Sequence, residues 1–200
     1  MLEKYACTIT GVAPLILHNG QLADPLNYFA KEMKRISGKR HKTEADLEQL
    51  ARFEWHGSLY LEGGKVVIPG ELLEAHLVEA AKKVKKGPQA KAGLFCDEMF
   101  LLDYDGPSDL EALWAEEAFR LTAGVRVQRN RIMRTRPIFR SWSLSFEVLY
   151  NASQLNREEI AELVRIGGEQ IGLGDWRPRF GRYVVENRPA AEIADTMNQP

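Results

Sequence analysis

The most regular stretch of the chain runs from Ser141 to Tyr150. Trp142, Leu144, Phe146, Val148 and Tyr150 alternate with Ser141, Ser143, Ser145, Glu147 and Leu149. A period of two over ten residues predicts a strand with one buried face. The pattern then changes period. Asn156 is placed as an N-cap with Glu159 at the capping-box position, and Ile160, Leu163, Val164, Gly167 and Ile171 form an apolar stripe at helical spacing. Gly172 and Gly174 end that helix, and Phe180 to Glu186 reads as a final strand.

The same reading applied upstream gives the other elements. Residues 4–11 alternate weakly and predict a first strand, broken by Ala13-Pro14 and followed by the turn His18-Asn19-Gly20. Thr43 caps a helix, with Asp46 three residues on, that carries Leu47, Leu50, Ala51 and Glu54 on one side and stops at Gly57. Gly63-Gly64 separates two short apolar runs, which suggests a hairpin. Leu73, Leu77, Ala80, Ala81 and Val84 mark a helix from Glu71. Leu94 to Tyr104 suggests a short strand, and Asp109 to Phe119 a short acidic helix. Residues 23–42 are polar and basic and read as a mobile loop or short helices.

Strand, helix, glycine loop, strand is half of a ferredoxin-like β-α-β-β-α-β unit, and the strand at 4–11 with the helix at 71–84 supplies the other half. The expectation is an α+β fold with an antiparallel sheet, organised as one domain over 1–188 with an inserted segment at 21–57 and a tail at 189–200. Two hundred residues suit one such domain, and no internal repeat or low-complexity tract is present. The chain has no run of about 18 apolar residues, no leader pattern and only two cysteines, Cys7 and Cys96. A cytoplasmic protein without a membrane partner is expected from these features.

Charge changes the picture. The formal net charge is -1, but its distribution is segregated. Arg126, Arg129, Arg131, Arg134, Arg136 and Arg140 fall within 124–140 with no acid among them. Lys31, Lys34, Arg35, Lys39, Arg40 and Lys42 form a second basic block, and Lys82, Lys83, Lys85 and Lys86 a third at a helix end, where they suit the dipole. The acids of 97–117 occur with no Lys or Arg among them. Such segregation points to a polyanionic partner.

In 124–140 the apolar residues Val125, Val127, Ile132, Met133 and Ile138 interleave with the arginines. A pair of extended segments turning near Asn130 lets the former pack down and the latter point out. Arginine's planar donor fork fits phosphate and stacks on bases, and charge neutralisation releases counterions. The competing structural reading pairs these arginines with the acids of 97–117. A second constellation runs from Ile171 to Arg182. Gly172 and Gly174 let backbone N–H groups approach an anion, Arg177, Arg179 and Arg182 add charge, and Trp176 and Phe180 offer stacking surfaces. A dinucleotide-binding fingerprint is excluded because the glycines follow a helix rather than a strand.

The run Ile-Gly-Leu-Gly-Asp-Trp-Arg-Pro-Arg-Phe-Gly-Arg-Tyr, in the order helix, loop, strand, resembles the C-terminal glycine-rich motif of the RAMP superfamily, the ferredoxin-fold RNA-binding proteins of CRISPR effector complexes. Ile9 to Gly20 is similar to the first strand and turn of the backbone-subunit branch. Over nearly its full length the chain also resembles a group of small bacteriophage and prophage proteins, through Leu-Ala-Asp-Pro-Leu (22–26), Lys-Arg-His-Lys-Thr (39–43), Arg-Thr-Arg-Pro-Ile-Phe (134–139) and the Gly/Arg loop. The resemblance implies a modified ferredoxin core, contact between the Gly/Arg loop and a nucleic-acid backbone, and assembly along a strand. The chain is shorter than most RAMP backbone subunits.

The resulting expectation is a non-enzymatic binder of single-stranded DNA or RNA that self-associates. Its contacts would be Arg126, Arg129, Arg131, Arg134, Arg136, Arg140, Gly172, Gly174, Trp176, Arg177, Arg179, Arg182, Lys39, Arg40 and Lys42, with no cofactor or metal. Two alternatives remain open. Some RAMP enzymes cut RNA with a histidine base, for which His18 is the candidate in a metal-independent ribonuclease. The basic surfaces would instead meet an acidic protein in an interaction module, such as an inhibitor of a host defence complex.

Overall fold

The computed structural model describes residues 1–127 and 130–186. Arg129 and the expected tail at 189–200 lie outside the described residues.

The chain opens with strand β1 (Leu2–Gly11) and the short β2 (Leu15–Ile16). Helix α1 (Tyr28–Ser37) follows, capped by the Asn27 side chain, which accepts from the N–H groups of Phe29 and Ala30. The basic segment that read as a loop or short helices is therefore a turn and one capped helix. Helix α2 (Glu44–Ser58) starts at the capping box of Thr43 and Asp46. A hairpin of β3 (Leu61–Glu62) and β4 (Lys65–Pro69) turns at Gly63 and Gly64 and leads into α3 (Gly70–Lys83) and α4 (Gly87–Gly93). Then come β5 (Leu94–Phe95), β6 (Met99–Tyr104), α5 (Leu110–Ala115), the hairpin of β7 (Arg120–Val127) and β8 (Asn130–Phe139), and β9 (Trp142–Asn151). Helix α6 (Arg157–Ile166), with the capping box of Asn156 and Glu159, precedes the last strand, β10 (Tyr183–Val185).

The main sheet runs β10-β1-β9-β6-β4-β3, with β5 also on β9, and its ladders are antiparallel. The inner order β10-β1-β9-β6, with α3 before β6 and α6 before β10, is compatible with a ferredoxin-like arrangement. In the central ladder Tyr5 faces Val148, Cys7 faces Phe146 and Ile9 faces Leu144. The alternation in β9 buries Trp142, Leu144, Phe146, Val148 and Tyr150 on the side covered by α3 and α6. Leu73, Leu77 and Ala80 of α3 and Ile160, Leu163 and Val164 of α6 complete one contiguous core. Fully burying each large apolar side chain stabilises by about 1.5–3 kcal/mol relative to exposure. Among the described residues no helix is long and apolar enough to cross a membrane.

A second sheet, β2-β8-β7, stands beside the first. Its base is buried: Thr135, Ile138 and Phe139 are covered, and Trp55 of α2 donates its indole N–H to the Phe119 carbonyl at 2.9 Å. Among the described residues the outer half is covered by no second layer. Met133 is 63 % exposed and Ile132 only half-buried, so the expected packing of the hairpin's apolar residues holds for Ile138 and fails for Met133. The last strand is also shorter than the pattern over 180–186 predicts. The glycine loop claims the chain up to Arg182 through backbone bonds from Gly181 N to Pro14 O (2.8 Å) and from Leu173 N to Gly181 O (2.8 Å).

Candidate nucleic-acid interface

The two arginine segments meet across β2. Ile16 of β2 pairs with Ile138 of β8 on one side, and on the other its carbonyl accepts from Asp175 N at 2.8 Å. Glycine is required at two points of this seam. Gly174 has φ +78, and a Cβ there would stand 2.3 Å from the Ile16 carbonyl oxygen. Gly181 has φ +71, and its Cβ would meet the Leu173 carbonyl at 1.8 Å. Gly174→Ala is expected to destabilise the chain by about 1–3 kcal/mol, because it combines a left-handed backbone with a backbone clash. Urea unfolding of the variant checks this, and an unchanged midpoint would contradict it.

Arg136 sits at the centre of the seam. It is 7 % exposed, its Nη1 lies 2.7 Å from Glu54 Oε1, and its Nε lies 3.7 Å from Asp175 Oδ2. Glu54 of α2 is 3 % exposed. It also accepts from Arg134 Nη1 at 3.0 Å and from the Thr135 backbone N–H at 2.8 Å. One carboxylate thus ties the base of the hairpin to α2, and Arg136 continues the link to the glycine loop. Arg136 was expected to contact a ligand. It is enclosed by its own protein, between Glu54 of α2 and Asp175 of the glycine loop. The acids that hold Arg134 and Arg136 are Glu54 and Asp175, not those of 97–117. In that acidic stretch Glu111 pairs with Arg52, Asp103 accepts from Ser143, and Asp109 caps α5.

The remaining arginines differ. Arg177, Arg179 and Arg182 are exposed on the loop, and Arg131 and Arg140 are exposed on and beside the hairpin. None of these five makes an ion pair among the described residues. Arg126 is exposed opposite Arg131 in the ladder. Arg131 lies five residues from Arg136 along β8, about 17 Å at strand rise. The separation is odd, so Arg131 stands on the opposite face of β8 from Arg134 and Arg136. The exposed charge therefore runs from the loop to the outer half of the hairpin, while Arg136 is enclosed at its base. Trp176 is half-buried, with its ring centroid 6.0 Å from that of Phe180, and Arg179 lies over the Phe180 ring. Gly172 is buried. Lys39, Arg40 and Lys42 are exposed between α1 and α2. Lys39 pairs with Asp46 at 2.5 Å, and Lys42 donates to the Lys39 carbonyl at 2.9 Å. Asp46 is eight residues from Glu54 on α2, so this cluster stands about 12 Å along the helix from the anchor.

No protein-family model matches the chain, and no curated protein matches it.

A cleft opens where the loop faces α3. Its wall includes His18, Tyr60, His76, Glu79, Asp175 and Arg177. His18 stands exposed at its rim. Packing around the ring, and then the nearby Arg136 charge, push its pKa below the usual value, with Asp175 and Glu54 opposing. Tyr60 Oη donates to the His18 carbonyl at 3.3 Å, and burial raises the phenol pKa. His76 is 1 % exposed, and its Nε2 is 2.8 Å from Tyr183 Oη, which donates onward to Val164 O at 3.0 Å. Burial pushes the His76 pKa down to about 4, helped by Arg177 and opposed by the Gly172 carbonyl. The folded state therefore keeps this ring neutral, while the unfolded chain takes up a proton below pH ~6.5. Its contribution is complete above that pH and fades as pH falls to about 4, by at most about 3 kcal/mol. The fall in stability between pH ~6.5 and ~4 is expected to be shallower in His76→Gln than in the wild type. Parallel slopes in urea titrations would contradict this.

Sequence reasoning placed Glu54 on the apolar side of α2 but gave it no role. An acid on an apolar face was the available signal. Tyr60, Glu79 and Asp175 were not singled out, because their importance comes from elements that meet only in the fold.

Proposed function

We propose that the protein binds single-stranded nucleic acid, DNA or RNA, along the exposed arginine line, without cutting it. The observation that carries the reading is Arg177, Arg179 and Arg182, exposed and unpaired among the described residues, on a glycine loop joined to the basic hairpin through β2, whose Ile16 pairs with Ile138 and accepts from Asp175 N. Unneutralised guanidinium groups on a fixed track are what sequence-independent phosphate binding needs, and the half-buried Trp176 beside Phe180 supplies a stacking surface. The strand order of the main sheet, with the glycine loop just before its last strand, supports a RAMP-type reading. In that reading the protein is phage-encoded, cytoplasmic and assembles along the strand. Its absorbance spectrum after purification at low salt tests the proposal. Co-purified nucleic acid, lost on nuclease treatment and on washing at about 1 M salt, is the expected result. A pure protein spectrum at low salt, with no uptake of added oligonucleotide, would reject it.

One observation favours a ribonuclease as the second reading. His18 is exposed at the cleft rim, its lowered pKa keeps it neutral at pH 7, and Arg136 is close enough to influence its charge. A neutral imidazole beside cationic groups has the make-up of a general base. Labelled RNA incubated with wild type and His18→Ala decides. Cleavage by wild type alone would establish this reading in place of the first, and intact RNA in both is the expected outcome.

A further inference from the structure

The cleft between the glycine loop and α3 has a volume of about 310 Å³ and adjoins a more open hollow of about 490 Å³. The smaller volume is at the low end for a ligand site and fits a single base better than a longer segment. Both spaces share Glu79, Asp175 and Arg177. The lining is mixed in a specific way. Two carboxylates and one guanidinium are joined by the Tyr60 ring and by the apolar side chains of Leu72 and Ala75.

A phosphate does not suit this lining. The hydrogen bond from Lys82 holds the Glu79 carboxyl below its usual pKa, and Arg177 reinforces the effect, so the group is ionised at neutral pH. Asp175 Oδ1 already accepts from Trp176 N at 2.9 Å, while Oδ2 has only the distant Arg136 Nε. Carboxylates repel phosphate from the cleft interior and leave it to the exposed guanidinium groups at its mouth and beyond. What they accept is N–H. His76 also contributes to the wall: its ring is 1 % exposed, its Nε2 lies 2.8 Å from Tyr183 Oη, and its Nδ1 is buried without a hydrogen-bond partner. Unpartnered buried polar atoms are uncommon and call for an occupant or a function.

The complementary group is flat, carries adjacent N–H donors on one edge, and has acceptors that Arg177 can reach. Guanine has N1–H and N2–H₂ side by side and presents O6 and N7, a favoured arginine target. Thymine and uracil turn two carbonyls towards the carboxylates, and adenine has no such pair of adjacent donors. We propose that this cleft receives one guanine base of the bound strand, its N–H edge on Glu79 and Asp175 and its O6/N7 edge on Arg177. The inference rests on the single-strand reading above and adds base preference to it.

Anisotropy titrations of the full chain with labelled strands of about 15 nucleotides test it. The strands are all-thymine or all-uracil, unsubstituted or carrying one central guanine or adenine. One guanine is expected to tighten binding by about 10-fold, and adenine by less than about 2-fold. In Glu79→Gln the guanine-to-thymine affinity ratio falls towards one. Glu79 is exposed, so this variant folds, and a thermal melt verifies that. Salt-dependent binding of every strand with equal affinity would overturn the base pocket alone. A guanine preference that survives in Glu79→Gln would remove it from this cleft. No binding of any strand would overturn both the pocket and the single-strand reading.

Discussion

Replacing Glu54 by Ala lowers the unfolding free energy by about 3–5 kcal/mol, the range for removing one partner of a buried ion pair. The size follows from what is left behind. Glu54 receives Arg136 at 2.7 Å, Arg134 at 3.0 Å and the Thr135 N–H at 2.8 Å. Without it, Arg136 remains enclosed with Asp175 at 3.7 Å and a long hydrogen bond to the Thr135 carbonyl at 3.5 Å, and a buried backbone donor loses its acceptor. Desolvating a guanidinium without a close partner costs more than the truncated methylenes do. Glu54→Gln separates the two contributions. It keeps an acceptor for Thr135 N–H while removing the charge, so its loss should fall between wild type and Glu54→Ala. Urea unfolding followed by circular dichroism measures both. A loss below about 1 kcal/mol in Glu54→Ala would mean that the hairpin is not anchored by this pair.

The second large effect concerns binding. Arg131, Arg177, Arg179 and Arg182 are exposed and lack ion pairs among the described residues, so changing all four to Ala leaves no buried group unpaired. Each phosphate contact on a single strand contributes about 0.7 to the slope of log K against log salt. Four contacts amount to a slope change of about 3. At about 0.1 M salt, relative to about 1 M, that corresponds to several hundred-fold in affinity. The melting temperature should stay near that of the wild type. Arg136→Ala behaves differently: it destabilises the fold by removing the partner of Glu54 and weakens binding only through displacement of the loop. A variant set that includes Arg136 would confuse these effects. Wild-type affinity in the four-arginine variant would contradict the placement of the interface.

How much was legible in the sequence depended on the range of the interactions. Strand β9 and helix α6 were readable because their alternation, Asn156 and Glu159 act within a few residues. The arginine segment was readable as two extended stretches for the same reason. Its division into exposed and enclosed arginines was not. Arg134 meets Glu54 across 80 residues, and although alternation puts Arg131 and Arg136 on opposite faces of β8, nothing local says which face is covered. The short β10 has a similar cause, since the backbone bonds of Gly181 to Pro14 and of Leu173 to Gly181 compete with strand pairing. The cleft draws on the turn after β2, the start of β3, helix α3 and the glycine loop. Each part looks ordinary alone, and only the fold brings their acids, rings and arginine together.

The central claim is that the exposed arginine line holds a single-stranded phosphate backbone. Its most direct test is the salt dependence of wild-type affinity for a labelled all-thymine strand of about 15 nucleotides, which offers the cleft no guanine and leaves Arg177 to phosphate, measured between about 50 and 300 mM salt. Engagement of Arg131, Arg177, Arg179 and Arg182 predicts a linear plot of log K against log salt with a slope of about -3. An affinity that does not change with salt, or no binding at the lowest salt, would contradict the claim.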